Sequence, residues 1–264
     1  MPSAEFLGLL QFYAPSFLAG TLMAVGLALW GCFIVDQKRV MESFALSQAA
    51  GFGSLLGLSS GIPHLLGAGV SAGSTPFLFR VFKAGPQASP TGVHAALYIF
   101  FLAASYLLIR LSPHLESHFS LLLYGDVSLI HGFDLWLSSF VGILAISWAV
   151  WNRRFLFRES FEFHLFSRPI SRWSRFMQIA LIVFSMSSFG FLFSIAFLTL
   201  PTSLLQSKNS RGIFSHFYEC GILAGLSFLL GFFISLCWPS LPSTPCIVLC
   251  LLFICLLRRS FRSG

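Results

Sequence analysis

The feature that most constrains this chain is the recurrence of apolar stretches long enough to cross a lipid bilayer. Ala14–Val35 and Met177–Leu205 contain no Asp, Glu, Lys or Arg. Ile213–Leu236 is interrupted only by His216 and Glu219, and Leu241–Leu257 is uncharged but shorter. A hydrocarbon core of about 30 Å needs about 20 mostly apolar helical residues. Inside it every backbone N–H and C=O must be paired, which leaves helices or a closed barrel. These runs are continuous and do not alternate at period two, so a barrel is excluded. With 56% hydrophobic and 9% charged residues, no soluble fold of 264 residues competes. The expected fold is all-α: a polytopic transmembrane helical bundle forming a single domain over residues 1–264.

The 16 Lys and Arg outnumber the 9 Asp and Glu. In a soluble chain that balance would suggest nucleic acid as a partner. Here the cations are scattered over short loops, as in the cytoplasmic loops of membrane proteins, and nucleic acid is excluded. The chain's surroundings are membrane lipid. Six cysteines lie in or beside apolar segments with no CxxC pair and no metal-site spacing, so they read as packing residues. No basic region precedes the first apolar run, so a cleaved signal is not expected. Pro2–Tyr13 is expected to lie in the interface as a short amphipathic segment.

Helix one is expected over Ala14–Val35 and helix two from Glu42–Phe44 to Ser59. A shorter third segment, Ile62–Gly73, is rich in Gly, Ala and Ser. Small residues permit close helix approach, so segments two and three are expected to pack inside the bundle, away from lipid. Thr75–Pro90 reads as a loop, Gly92–Ile109 as helix four and Asp134–Trp151 as helix five. Between those two helices, Tyr124-Gly125-Asp126 marks a partly inserted or interfacial turn. Asn152–Arg175 carries six arginines, which marks it as cytoplasmic.

Met177–Leu205 either crosses once or forms a broken hairpin turning near Gly190. The hairpin places Lys208, Arg211 and the C-terminal arginines on the same, cytoplasmic side, so charge favours it. The bundle then has nine spans, with eight as the alternative.

No motif for chemistry is present. A GxxxxGK[ST] phosphate loop and an HExxH zinc motif are both missing. Gly57-Leu-Ser-Ser-Gly61 with His64 imitates an intramembrane serine protease without a fixed-spacing signature. Broken, Gly-rich helices and buried polar turns suit a solute pathway. A transporter is therefore expected, with a membrane scaffold or intramembrane enzyme as the alternative class.

Four pieces in order carry a family resemblance. Phe33–Gly51, reading FIVDQKRVMESFALSQAAG, resembles the region after the first helix in membrane subunits of ATP-binding-cassette zinc/manganese importers. Leu123-Tyr-Gly-Asp126 resembles that family's Leu-Phe-Gly-Asp turn. Gly190–Pro201 resembles its Gly-x-Leu-Leu segment ending in Pro, and Leu241–Val248 its Leu-Pro-Ser-Gly-Pro external turn. The resemblance implies a bacterial cytoplasmic (inner) membrane protein, multi-pass, that moves a divalent metal such as zinc or manganese by alternating access. It implies three partners: a cytoplasmic ATPase subunit, an external metal-binding protein and a second permease copy, identical or related. ATP would be used by the partner, with no cofactor on this chain and no enzymatic activity of its own. The arginine-rich loop, with Phe161, Glu162, His164, Arg168 and Arg172, would dock the ATPase.

The departures concern substrate. The family's Asp-Ala-Leu-Ser-His-Ala offers an Asp and a His four apart as pathway ligands, and the aligned positions here are Phe44 and Gln48. Phe cannot ligate, and Gln offers a neutral amide oxygen. Glu42 substitutes for the lost carboxylate or sits at the helix start, where negative charge is favourable. His64 faces a cavity or is a structural histidine. Asp126 lines the external mouth or is a solvated interfacial acid. The metal itself remains unknown, and a diverged permease for another solute is the second reading. In the loop only Phe161 and Glu162 match the family convincingly.

Overall fold

The computed structural model describes residues 3–83, 89–130, 132–166, 171–205, 212–238 and 241–263. Among them the regular structure is helical. In chain order the helices are α1 (Ser3–Asp36), α2 (Val40–Ser59), α3 (His64–Phe82), α4 (Pro90–Leu111), α5 (Glu116–Tyr124) and α6 (Phe133–Trp151). There follow α7 (Arg153–Phe166), α8 (Arg172–Phe189), α9 (Phe191–Leu205), α10 (Ile213–Cys237) and α11 (Ser243–Ser263). Six of these, α1, α3, α4, α6, α10 and α11, are long and apolar enough to cross a membrane. α2, α8 and α9 are shorter or more polar, and each is largely buried against neighbours.

Contacts between helix ends fix the direction of each pass. Residues of the α1–α2 turn, the last turns of α3, the first turns of α4, α7 and the start of α8 line one cavity. At the other end, Asp126 gathers Ser243 from the start of α11, and Ser16 of α1 reaches the Ile130 carbonyl. Among the described residues, the helices α1, α2, α3, α4, α6, α8, α9, α10 and α11 therefore alternate in direction between these two ends, nine in all. The cavity end carries Lys38, Arg39, Arg80, Arg153, Arg158 and Arg175, whereas Arg110 is the cation of the opposite end among the described residues. The cavity end is cytoplasmic by that asymmetry.

The broken hairpin is observed directly. Ser185 and Ser194 hydroxyl oxygens lie 2.6 Å apart. In one continuous helix nine residues would separate them by about 13 Å along the axis. The chain instead reverses at Gly190, whose φ of 86° belongs to the left-handed region that glycine tolerates. Gly125, with φ 70°, packs back to back on it: a Cβ at Gly190 would stand 2.7 Å from the Gly125 Cα. Lys208 and Arg211, which carried the charge argument for the hairpin, lie outside the described residues.

Two packing centres flank this reversal. α1 is the buried spine of the larger one, with α6, α9, α10 and α11 around it. Phe189, Phe193, Phe197, Phe228 and Phe232 are fully buried there, and Phe193 lies 4.8 Å from Phe189 and 4.6 Å from Phe197 by ring centroid. α2 is the spine of the second, against α3, α4, α5 and α8. α2 meets α3 where Gly53 and Gly67 face each other, each without room for a Cβ.

Three expectations are corrected. The N-terminal segment is not a separate interfacial piece, because Ser3–Asp36 is one helix running through Pro15. The third segment does not end at Gly73, since α3 continues through Pro76 to Phe82. Ser74 and Thr75 hydroxyls donate to the Ser71 carbonyl beside that proline, at 2.7 and 3.4 Å, and supply local hydrogen bonding around the break in the ladder. Nor is α3 hidden from lipid. Its small face, Ala68, Ala72 and Thr75, is buried, while Leu66, Val70 and Phe77 point outward. Close approach through glycine uses only one stripe of a helix and leaves the large side chains on the other.

A methyl group at the reversal would meet both a forbidden φ and the Gly125 backbone. Gly190→Ala is expected to lower stability by about 1–3 kcal/mol. Gly69→Ala, where a Cβ meets nothing within 4 Å, is expected to leave it unchanged. Thermal unfolding of the two variants in detergent measures the difference.

Candidate functional site

Phe44 and Gln48 lie one turn apart on α2, the spacing that puts two side chains on one face. The Phe44 ring meets Tyr98 of α4 at 6.1 Å and Phe191 of α9 at 5.9 Å, and those two rings are 6.3 Å apart. Three aromatic rings from three helices thus close the space in front of Phe44. Gln48 is buried, and its Nε2 has no hydrogen-bond partner. The neighbouring Ser47 hydroxyl is also buried without one. An amide N–H left unpaired in a helix interface is costly, of order 1–3 kcal/mol. This face of α2 is therefore a polar position in the second packing centre that the described residues do not satisfy.

Glu42 lies nearer the cytoplasmic end and is already engaged. Arg39 donates to both of its carboxylate oxygens, at 2.6 and 2.7 Å, and to the Gln37 side-chain oxygen at 3.0 Å. Glu42 lines a cavity of about 390 Å³ together with Arg39, Arg80, His94, Phe163 and Arg175. His94 stacks on Phe79 with centroids 4.5 Å apart, and the Arg175 Nε is buried without a hydrogen-bond partner.

Asp126 occupies the opposite end. Its Oδ1 accepts from Ser128 N at 3.0 Å, Ser128 Oγ at 2.6 Å and Ser243 Oγ at 2.7 Å. The same Ser243 oxygen accepts from Val127 N at 2.9 Å. Three family-like pieces of the sequence meet here: the Leu123–Asp126 turn, the Gly190 reversal and the start of α11. A smaller cavity of about 150 Å³ adjoins it, lined by Asp126, Asp134, Ser187 and Ser188. His64 at the start of α3 approaches Asp134 with Nε2 to Oδ2 of 3.9 Å, at the limit of an ion pair.

The cytoplasmic polar stretch folds as the amphipathic helix α7, followed directly by α8. Phe157 on its inner face packs on Phe33 of α1 and Phe217 of α10, at 4.9 and 5.8 Å. Ser160 is buried and accepts from Gln37 Nε2 at 3.1 Å. Glu159 receives the Ser171 N–H and, at 2.7 Å, the Ser174 hydroxyl, and so ties α7 to the first turn of α8. Phe161 is exposed, Glu162 accepts from Arg158 at 2.8 Å, and Arg172 is exposed in the first turn of α8. Arg168 and the side chain of His164 lie outside what is described.

The structure thus separates the sequence candidates into four places. Phe44 and Gln48 share one face, Glu42 belongs to the inner cavity, and Asp126 stands in the outer knot. His64 lies near Asp134 at the same outer end. Sequence reasoning missed Gln37, Ser160 and Glu159, which join α7 to the bundle. It singled out Leu241–Val248 as a turn but not the hydroxyl of Ser243 that anchors it.

The model of the ABC 3 transport family matches residues 10–262. The chain belongs to the ABC 3 transport family. It is a multi-pass membrane permease, as its helices and this membership together require. No curated protein matches its sequence. Among solved structures, PsaBC from Streptococcus pneumoniae in complex with Fab is similar at 19% identity with a TM-score of 0.80. The likeness covers 96% of this chain and 94% of that one, so the fold is shared from end to end.

Removing the Ser243 hydroxyl leaves the Val127 N–H without its buried acceptor and takes one of three donors from Asp126 Oδ1. Ser243→Ala is expected to lower stability by about 1–3 kcal/mol and to loosen the 124–130 turn first. Hydrogen exchange on that turn, compared with α10, measures it.

Proposed function

We propose that this permease is the membrane subunit of an ATP-driven importer in a bacterial cytoplasmic membrane, and that its solute is a divalent metal ion, zinc or manganese. Family membership supports the transporter class. One observation of the molecule carries the mechanism: α7 is bonded to both the α1–α2 turn and the start of α8. A cytoplasmic ATPase that grips the exposed Phe161 and Arg172 and the half-buried Glu162 would pull on the α1–α2 turn and α8 together. Packed helices move as rigid bodies, so closure of the ATPase becomes a tilt of the helices that carry Phe44 and Gln48. In this reading the aromatic closure by Phe44, Tyr98 and Phe191 is the gate. The Gln48 oxygen is a neutral ligand beside it, and Glu42 with the inner cavity is the exit.

The outer end completes the cycle. Asp126, Asp134 and His64 form an acidic mouth that accepts the ion from an external binding protein. A second copy, or a related permease, forms the other wall of the pathway. Hydrolysis of ATP is then the partner's work, and this chain contributes the route and the gate.

A specific observation favours the second reading, a permease of this fold diverged toward another solute. Gln48 and Phe44 stand where the resembling importers carry a His and an Asp, and the inner cavity is lined by Lys38, Arg39, Arg80 and Arg175 against Glu42. A neutral or anionic solute suits that lining better than a divalent cation does.

Uptake assays with the reconstituted importer test the proposal. Gln48→Ala is expected to reduce zinc or manganese uptake by about tenfold, the effect of losing about 1.4 kcal/mol of interaction with the moving ion. Phe161→Ala is expected to abolish copurification of an ATPase under mild detergent while leaving the permease folded. Copurification unaffected by that change would remove α7 as the docking surface. Uptake of both metals unaffected by Gln48→Ala would remove the α2 face from the pathway.

A further inference from the structure

Cys32, His216 and Cys220 come together at the cytoplasmic end of the larger packing centre, away from the α2 face. Cys32 is on α1, and His216 and Cys220 are one turn apart on α10. Their ligand atoms all lie within 4.8 Å of one another. The Cys220 sulfur is 3.7 Å from His216 Nε2. A tetrahedral centre with bonds of about 2.3 Å to sulfur and about 2.0 Å to nitrogen has a sulfur–nitrogen edge of about 3.5 Å and a sulfur–sulfur edge of about 3.8 Å. The observed sulfur–nitrogen separation of 3.7 Å is within about 0.2 Å of such an edge. The Thr202 hydroxyl of α9 lies 3.4 Å from the Cys32 sulfur, in place to support it or to complete the set. Both cysteines are buried and His216 is half-buried. His216 is near the first turn of α10, so the site is within reach of the cytoplasm.

We infer that Cys32, Cys220 and His216 form a resident binding site for a soft cation, Zn²⁺ or Cu⁺, that fastens α10 to α1 at the cytoplasmic end. Two thiolates and an imidazole select such ions over manganese, magnesium or calcium, which prefer oxygen. Binding displaces the two thiol protons and so neutralises the dication inside an apolar interface. The site is independent of the solute that the permease carries, because it lies on α1 and α10 and shares no residue with the α2 face. Its consequence is mechanical. α7 packs on α1 and α10 at Phe33 and Phe217, so a cation that clamps these helices stiffens the surface against which α7 rests. Cytoplasmic metal would thus bear on the helix that we assign to ATPase docking.

The test uses the full-length chain in detergent with Co²⁺ as a spectroscopic probe and Zn²⁺ as competitor. One Co²⁺ per chain with thiolate-to-cobalt charge-transfer absorption is expected, displaced by Zn²⁺. Cys32→Ser and Cys220→Ser are each expected to abolish that absorption, and His216→Ala to weaken binding at least about tenfold. A readout on the unmodified chain covers the case of poorly folded variants. Zn²⁺ is expected to raise the unfolding temperature of the unmodified chain, with the rise reversed by chelator and absent from the Cys32→Ser and Cys220→Ser chains. Absence of the charge-transfer band in the unmodified chain, or an unfolding temperature indifferent to Zn²⁺, would overturn the inference.

Discussion

The reversal at Gly190 is the constraint on which the rest of this bundle depends. A chain that turns back inside a membrane must hide the backbone groups freed at the turn, and lipid offers them nothing. The protein meets this by seating Gly190 on Gly125 and holding the Gly125–Asp126 turn with the Ser243 hydroxyl. α5 and its turn thus lie over the hairpin, and the start of α11 braces them. Because α9 is only 15 residues long, the hairpin can turn without leaving protein surroundings. The same turn sets the direction of every later helix and so returns the chain's C-terminal arginines to the cytoplasmic end.

From that reversal the two packing centres acquire different characters. The first is aromatic and dry: α1 is surrounded, and the column from Phe189 to Phe232 fills the space with rings in edge and offset contact. The second is built on α2, with Ser43, Ser47, Gln48 and Ser54 buried among small residues. Only part of its hydrogen bonding is internal. Gln178 of α8 donates to Ser43 at 3.3 Å, whereas Gln48 Nε2 and Ser47 Oγ are without partners. A tight aromatic centre beside a polar, incompletely satisfied one is the division of labour expected when one half holds and the other moves.

Much of this was legible in the sequence because bilayer thickness imposes itself on composition. Long apolar runs mark α1, α10 and α11, and the balance of lysine and arginine favours the hairpin over a single crossing. The hairpin was also readable at Gly190, since a glycine between two apolar half-helices has few other uses there. α3 was misread because Pro76 and the following Arg80 resemble a loop, and the hydroxyls that sustain the helix act only once it has formed. The N-terminal segment was misread because an amphipathic appearance says nothing about whether a helix stops. The linear spacing of the cysteines reads as packing, and nothing in it points to the cluster of Cys32, His216 and Cys220. Cys32 and Cys220 are 188 positions apart in the chain, and only the pairing of α1 with α10 brings them together. Ligand sets assembled across helices leave no local signature. For the same reason the Gln37–Ser160 bond, which links α7 to the α1–α2 turn, is invisible without the fold.

If the α2 face lines the route, as we propose, its chemistry would limit what can pass. A carboxylate and an imidazole together hold a divalent ion by charge and by strong donation, whereas a single amide oxygen supplies neither charge nor much field. An ion stopping at Gln48 would bind weakly and leave easily, which suits a pathway whose affinity resides in an external delivery protein. The inner cavity extends the same logic. Arg39 neutralises Glu42, and the remaining cations repel a dication that lingers there. On the proposed route, re-entry from the cytoplasm would thereby be opposed by electrostatics even with the aromatic closure open. If the solute is an anion, those same guanidinium groups become its attraction, and the direction of flow must then be enforced by the gate alone. On the proposed route, the sign of the cargo's charge would therefore decide whether the arginines of the inner cavity act as a barrier to return or as a trap.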